Sequence, residues 1–519
     1  MSLFRNFVSV GALTLVSRLA GFVRDALMAA VLGTGPAADA FFAAFRFPNL
    51  FRRLFAEGAF NTAFVPMFSG ALEREGEDGA KLLAARIMSW LVAMLVVVTV
   101  LVEIFMPQIM VAFVPGFVGD AEKFELTVLL TRIMFPYLAC MSLMAAYGAI
   151  LNTLGRFFAA AFAPVLLNLV NIAMLIPLAS FWVQDPRNAT IWVALATMGG
   201  GIAQLVLVWL AIERAGFRPH LRLPRLDAEV RRFWVLAVPA ILAGGITQIN
   251  IFVGTIIASG ADNAISVLSY ADRLYQLPLG IIGIAIGTVL LPELSRHLKG
   301  GREQAARASQ EQAFLVAMLL TMPAAAALIA LAEPIVRVLF ERGAFDALAT
   351  RQTAEALVAF AAGLPAYVLI RVFQPGFFAR EDTMTPTIIA GISVVANIAI
   401  SLWLFPGLAH IGIAIATAAS AWLNVFCLAG MLLKRGQFSW ISSEWRAQAG
   451  ILLISAIMGF SLWMLAHQGA GHLAAGVPLW RQAGVLAVLI LFGVVTYFTL
   501  IHISGTQRLG TLLRRLRRR

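Results

Sequence analysis

The chain has 519 residues, 61% of them hydrophobic and only 13% charged, where a soluble domain has about 45–50% and about 25%. The apolar excess runs along the whole length, which excludes a water-soluble enzyme, a disordered chain and a disulfide scaffold and leaves a polytopic membrane protein. A net charge of +12 would point to nucleic acid in a soluble chain. In a membrane chain it is read first as topology, and no nucleic-acid partner is expected.

A bilayer core of about 30 Å needs about 20 apolar residues as helix. On that ruler the sequence predicts fourteen spans, near 7–33, 37–68, 84–110, 125–151, 158–182, 189–212, 233–258, 263–295, 309–332, 352–378, 385–405, 410–433, 447–466 and 481–503. The first is read as a membrane helix rather than a signal peptide, because Arg18, Arg24 and Asp25 interrupt its apolar core. Cys140 and Cys427 lie in apolar runs and read as small buried hydrophobes. An even span count puts both termini on one side. With the termini in the cytoplasm, 25 Lys and Arg fall inside and 6 outside, which fixes the orientation. The terminal Leu-Leu-Arg-Arg-Leu-Arg-Arg-Arg run then reads as a cytoplasmic anchor.

The chain repeats itself. Val65-Pro66-x-x-Ser69 recurs as Leu291-Pro292-x-x-Ser295 and Asn171-Ile172-Ala173 as Asn397-Ile398-Ala399, both at an offset of 226; Pro107…Gly116 recurs as Pro334…Gly343 at 227. Six spans separate the copies, so both point the same way, as in transporters built from parallel repeats. The expected fold is all-α, with two six-helix lobes and two further C-terminal helices around a central cationic cavity. The lobes are residues 1–215 and 233–435, joined by a basic linker over 216–232; helices thirteen and fourteen lie in 436–505, and the basic tail in 506–519.

Eight arginines remain inside spans: Arg18, Arg24, Arg46, Arg52, Arg53, Arg132, Arg273 and Arg371. Each costs about 2.5–3.5 kcal/mol at a helix centre, so they should face a watery cavity or a charged substrate. In the second span Asp39, Arg46, Asn49, Arg53, Glu57 and Asn61 share one helical stripe. There Asp39 can screen Arg46 and Glu57 can pair with Arg53, while Arg52 points elsewhere. Asp25 stands beside Arg24, and Gly21 permits a bend or close approach. In the eighth span Asp272 and Arg273 lie in a polar patch, and Gly280 and Gly283 follow in a helix able to bend. Six of these arginines outweigh four carboxylates, and such a cavity selects anions; arginine forks suit phosphate oxygens. There is no Walker loop, no metal-ligand cluster and no catalytic constellation, so neither enzyme activity nor a metal site is expected.

Ser17-Arg18-Leu19-Ala20-Gly21-Phe22-Val23-Arg24-Asp25, Asp39-Ala40-Phe41 and the run from Phe45 to Phe60 resemble the first-lobe motifs of the MurJ (MviN) family. Tyr270-Ala271-Asp272-Arg273-Leu274-Tyr275-Gln276 and Arg380-Glu381-Asp382-Thr383-Met384-Thr385-Pro386-Thr387 resemble those of its second lobe. That family comprises lipid II flippases of the multidrug/oligosaccharidyl-lipid/polysaccharide exporter superfamily. The resemblance implies transfer of undecaprenyl-diphosphate-linked disaccharide-pentapeptide from the inner to the outer leaflet of the bacterial inner membrane by alternating access, for cell-wall synthesis. It implies that Arg18, Arg24, Arg52 and Arg273 bind the diphosphate, with Asp25, Asp39, Glu57 and Asp272 as supporting charges; from the stripe itself, Arg46 and Arg53 are expected to be supporting and mainly structural, paired with Asp39 and Glu57. It also implies a groove for the lipid tail on the last two helices, and makes the cell-wall synthesis machinery a candidate partner. Spans near 233–258, 385–405 and 410–433 carry no carboxylate. That argues against a sodium site and for membrane potential as the energy source; chloride is a candidate occupant of the cationic cavity. Another undecaprenyl-diphosphate oligosaccharide flippase is the nearest alternative, and a drug:cation antiporter a more distant one. For gating, Gly21, Gly280 and Gly283 are the expected hinges, and the tips near Gly33–Ala37 and Ser259–Asn263 are expected to meet.

Overall fold

The computed structural model describes residues 3–53, 60–179, 185–217, 220, 222–439 and 442–505. Among these every regular element is helical. Lipid offers no partner to a backbone N–H or C=O, so a spanning segment must satisfy them internally. Among the described residues ten helices are long and apolar enough to cross a membrane by length and composition. Their surfaces expose large hydrophobic side chains, such as Val96 and Val97 or Phe460 and Trp463, as lipid-facing helices do. The chain divides into two compact units, Met1–Ser266 with Arg342–Phe345, and Val267–Glu341 with Asp346–Arg519.

The first unit holds α1 (Leu3–Leu32), α2 (Pro36–Arg52), α3 (Phe60–Ile104), α4 (Met106–Phe113), α5 (Ala121–Met134), α6 (Tyr137–Thr153), α7 (Phe158–Pro177), α8 (Pro186–Arg214) and α9 (Ala228–Ala258). α1 packs on α7, α7 on α8, α2 on α5, and α9 on α3. One core cluster joins Met28 and Leu32 of α1 to Phe41 of α2, Leu130 and Met134 of α5, and Val193 of α8. Small residues set how closely these helices approach: a Cβ on Gly201 would lie 2.4 Å from the Tyr137 ring.

The second unit holds α10 (Ala264–Pro278, its first turn in unit one), α11 (Ile284–Lys299), α12 (Glu303–Ala330), α13 (Ala332–Phe340), α14 (Ala347–Phe378), α15 (Met384–Lys434), α16 (Ser442–Gln468) and α17 (Leu479–Ile503). Phe314, Phe373, Phe377 and Phe438 centre one core between α12, α14 and α15. A second core joins α16 and α17 to α12 and α13, where the Tyr497 hydroxyl donates to the Leu319 carbonyl at 2.8 Å.

Of the segment expected to run from 37 to 68, α2 covers the part up to Arg52 and α3 the part from Phe60, and residues 54–59 lie outside the described ones. Two features refine the other expected spans. α3 and α15 each contain a break, at Gly76 (φ 72°) and Ala409 (φ 44°). The second break falls between the spans expected at 385–405 and 410–433. The eighth span is continuous but carries a π-helical turn over Leu279–Gly283, which includes both Gly280 and Gly283.

The internal repeat reappears in the elements. α14 starts 226 residues after α5, and α15 226 after α7. Asp120 caps α5 by accepting from the Lys123 N–H, and Asp346, 226 residues on, caps α14 by accepting from the Ala349 N–H. Gly155 and Glu381, again 226 apart, both turn the chain at positive φ.

Candidate substrate-binding site

In unit one α1 and α2 each hold a partly buried arginine, Arg24 and Arg52. Arg24 donates from Nε and Nη2 to Asp25 Oδ1 at 3.0 and 2.6 Å, and from Nη1 to Asn168 Oδ1 of α7 at 3.0 Å. Arg52 donates from Nε to Asn49 Oδ1 at 3.0 Å. Asn49 is itself fixed by donating to the Phe45 carbonyl, one helical turn back. Both guanidinium groups act electrostatically on the phenol of Tyr137, a buried residue of α6. Arg24 engages three of the five N–H donors of its guanidinium, two of them on the Asp25 carboxylate. Arg18, two turns before Arg24, is exposed on α1.

The other supporting charges are spread along α2. Arg46 donates to Thr255 Oγ1 of α9 at 3.4 Å. Asp39 does not serve as its screen: Asp39 accepts from Lys123 Nζ of α5 at 2.9 Å and from the Ser266 N–H and hydroxyl at 2.8 and 2.7 Å. Two helical turns separate Asp39 from Arg46, about 10 Å of rise, whereas the chain brings Lys123 directly against the carboxylate. Arg53 is exposed; the pairing expected for it falls on Glu57, which lies outside the described residues.

In unit two Asp272 accepts from Gln276 Nε2 one turn on. The Tyr275 ring packs on Tyr367 at 5.2 Å and Phe360 at 5.0 Å. Asp272 is therefore held within its own helix, and the neighbouring Arg273 is exposed. Gly283 of the π-turn lies against Arg371, whose Cδ would be 2.9 Å from a Cβ there. The Arg380–Thr387 motif makes a turn. Asp382 accepts from the Thr385 N–H at 2.9 Å and pairs with Arg435 at 2.6 Å. The hydrogen bond from Arg435, then those from Thr385, hold its carboxyl down at about 2.

A reciprocal clasp closes one end of unit one. The Gly116 N–H donates to Ser259 Oγ at 3.0 Å, and a Cβ on Gly116 would meet the Ser259 carbonyl oxygen at 2.1 Å. The Ala344 N–H donates to the Ala30 carbonyl at 2.8 Å, and a Cβ on Gly343 would meet that oxygen at 2.3 Å. Gly116 and Gly343 are the repeat pair at offset 227. The loop after α4 therefore grips the end of α9, and its counterpart after α13 grips the end of α1. The Asp39–Ser266 bonds lie at the same end, beside the expected meeting of 33–37 with 259–263.

Sequence reasoning missed Asn168, Lys123, Ser266 and Tyr137. Each is an ordinary residue in its own segment, and its partner lies 84 or more positions away, except that Tyr137 stands in an apolar run with nothing to set it apart.

A multi-helix apolar bundle that keeps Arg24 and Arg52 partly buried and held by polar side chains fits a membrane transporter. The family model described as lipid II flippase MurJ matches residues 28–484. A Rhizobium tropici protein called probable lipid II flippase MurJ is 47% identical over 521 aligned residues, covering 100% of this chain and 97% of its own. A solved structure of lipid II flippase MurJ in an inward closed conformation matches with a TM-score of 0.79 at 26% identity, covering 96% of this chain and 98% of that one. An inward-facing multidrug resistance MATE family transporter of the MOP superfamily shares the fold, with a TM-score of 0.65 at 15% identity over 83% of this chain. The chain belongs to the MurJ family.

Proposed function

We propose that the protein is a lipid II flippase, moving undecaprenyl-diphosphate-linked disaccharide-pentapeptide from the inner to the outer leaflet of the bacterial inner membrane. Membership of the MurJ family supports the substrate. The partly buried Arg24, held by Asp25 on its own helix and by Asn168 of α7, is the structural observation that carries the reading. Diphosphate oxygens match guanidinium forks, and each charge-assisted contact contributes roughly 1.5–3 kcal/mol. Arg18 is a further proposed diphosphate contact in unit one, where Asp25 holds Arg24, and Arg273 of unit two is proposed to bind diphosphate as well. The isoprenoid stays in lipid, along helices thirteen and fourteen in a fourteen-span count with both termini in the cytoplasm.

Gating follows from the clasp. In this reading the clasped end is the outer one. Closed there, the protein admits the anionic head group from the cytoplasm; opening requires the Gly116–Ser259 and Gly343–Ala30 contacts to part. An inside-negative potential favours outward movement of an anion by about 2.3 kcal/mol per elementary charge per 100 mV, which suits a transporter driven by membrane potential. An antiporter for drugs would call for a carboxylate pair facing the cavity, whereas the charge here is cationic. The test is replacement of an essential lipid II flippase by this gene under depletion: growth supports the reading, and lysis with accumulated lipid II refutes it.

A further inference from the structure

We infer that Asn168 is a positioning residue for substrate binding, acting through Arg24; the inference rests on the proposed role of Arg24. Asn168 lies on α7, is 6% exposed, and uses both ends of its amide. Its Oδ1 accepts from Arg24 Nη1 at 3.0 Å and its Nδ2 donates to the Ser17 carbonyl at 3.0 Å. It therefore spans the α1 turn that separates Arg18 from Arg24. Gly21 lies between the two contacts, and a Cβ there would stand 3.5 Å from Asn168 Nδ2, so a methyl fits and a longer side chain displaces the amide.

The chemistry explains the choice of asparagine. Asp25 follows Arg24 on the same helix, so it orients the guanidinium but moves with it. Asn168 stands on another helix and fixes the group relative to α7. A second carboxylate would hold Arg24 as well, yet it would cancel the charge needed for the diphosphate. The neutral amide positions without neutralising, and its donor end bonds a main-chain carbonyl, an oxygen with two lone pairs. Asparagine and glutamine alone carry a separate acceptor oxygen and donor nitrogen on one uncharged amide, and glutamine is one methylene longer against the space over Gly21.

The experiment measures binding of a short-chain, water-soluble lipid II analogue to the purified full-length protein by native mass spectrometry, with thermal unfolding in parallel. Asn168→Leu, nearly isosteric, should weaken binding about tenfold and leave the melting temperature within about two degrees. Asn168→Asp keeps the acceptor but adds charge, and should weaken it further than Asn168→Leu. With Arg24 already changed to Ala, Asn168→Leu should have less than a twofold effect. Unchanged binding by Asn168→Leu, or the same tenfold loss without Arg24, overturns the inference. If Arg24→Ala alone binds normally, the reading of Arg24 fails, and that outcome is distinct from the other two.

Discussion

Lys123 of α5 and Asp39 of α2 form an ion pair of 2.9 Å with the lysine side chain 6% exposed and the aspartate 0%. The ammonium also lies 4.0 Å from the centre of the Phe117 ring, and Ser266 supplies two further donors to the carboxylate. Removing one member of such a pair leaves an uncompensated buried charge, which costs about 3–5 kcal/mol; replacing both with neutral groups costs far less. Lys123→Met and Asp39→Asn should each lower the melting temperature sharply, and the double variant should recover part of the loss. Additive losses in the double would show that the pair is not coupled.

The clasp makes a second prediction. Gly343 sits at φ 59° with no space for a Cβ, and Gly116 faces the Ser259 carbonyl. Gly343→Ala and Gly116→Ala should each destabilise the clasped state by about 1–3 kcal/mol, the scale of local backbone strain. The readout is disulfide yield between Thr34→Cys and Asp262→Cys, which should fall in both variants. The same crosslink in the otherwise native protein should block transport; transport by fully crosslinked protein would refute the gating account.

Glu381 occupies the left-handed backbone region at φ 63°, where its repeat partner is Gly155 at φ 76°. A non-glycine residue there costs roughly 1–2 kcal/mol. Glu381→Gly should therefore raise stability by about 0.5–1 kcal/mol after glycine's added unfolded-chain entropy, and Gly155→Val should lower it by more. Thermal unfolding of the two variants checks the sign.

The Asp382–Arg435 pair predicts a pH dependence. Its carboxyl is held at about 2 against an ordinary value of 3.8. A depressed folded value means the pair's contribution is fully present above 3.8 and is lost as pH falls towards 2. Asp382→Asn should flatten the loss of thermal stability over that window. The pair is partly solvated, so salt should shrink the difference.

Much of the helical layout was legible because the bilayer imposes a length, and a run of 20 apolar residues declares itself. Arg24 and Arg52 stood out for the same reason, as charges against that background. The missed residues show what such reading lacks. A lone Asn168 in an apolar helix has no periodicity to mark it, and Lys123 reads as a loop charge until Asp39 is placed against it. The repeat was detectable from three short matches, while the Asp120/Asp346 caps and the Gly155/Glu381 turns required backbone geometry.

The central claim is that arginines on α1 and α2 grip the diphosphate of lipid II. The most direct measurement is growth and lipid II flux in cells depleted of their own flippase and relying on Arg24→Ala, Arg24→Lys or the native chain at matched membrane levels. The account predicts loss of flux for Arg24→Ala and partial flux for Arg24→Lys, because lysine offers a point charge in place of a fork. Normal flux and growth with Arg24→Ala would contradict it.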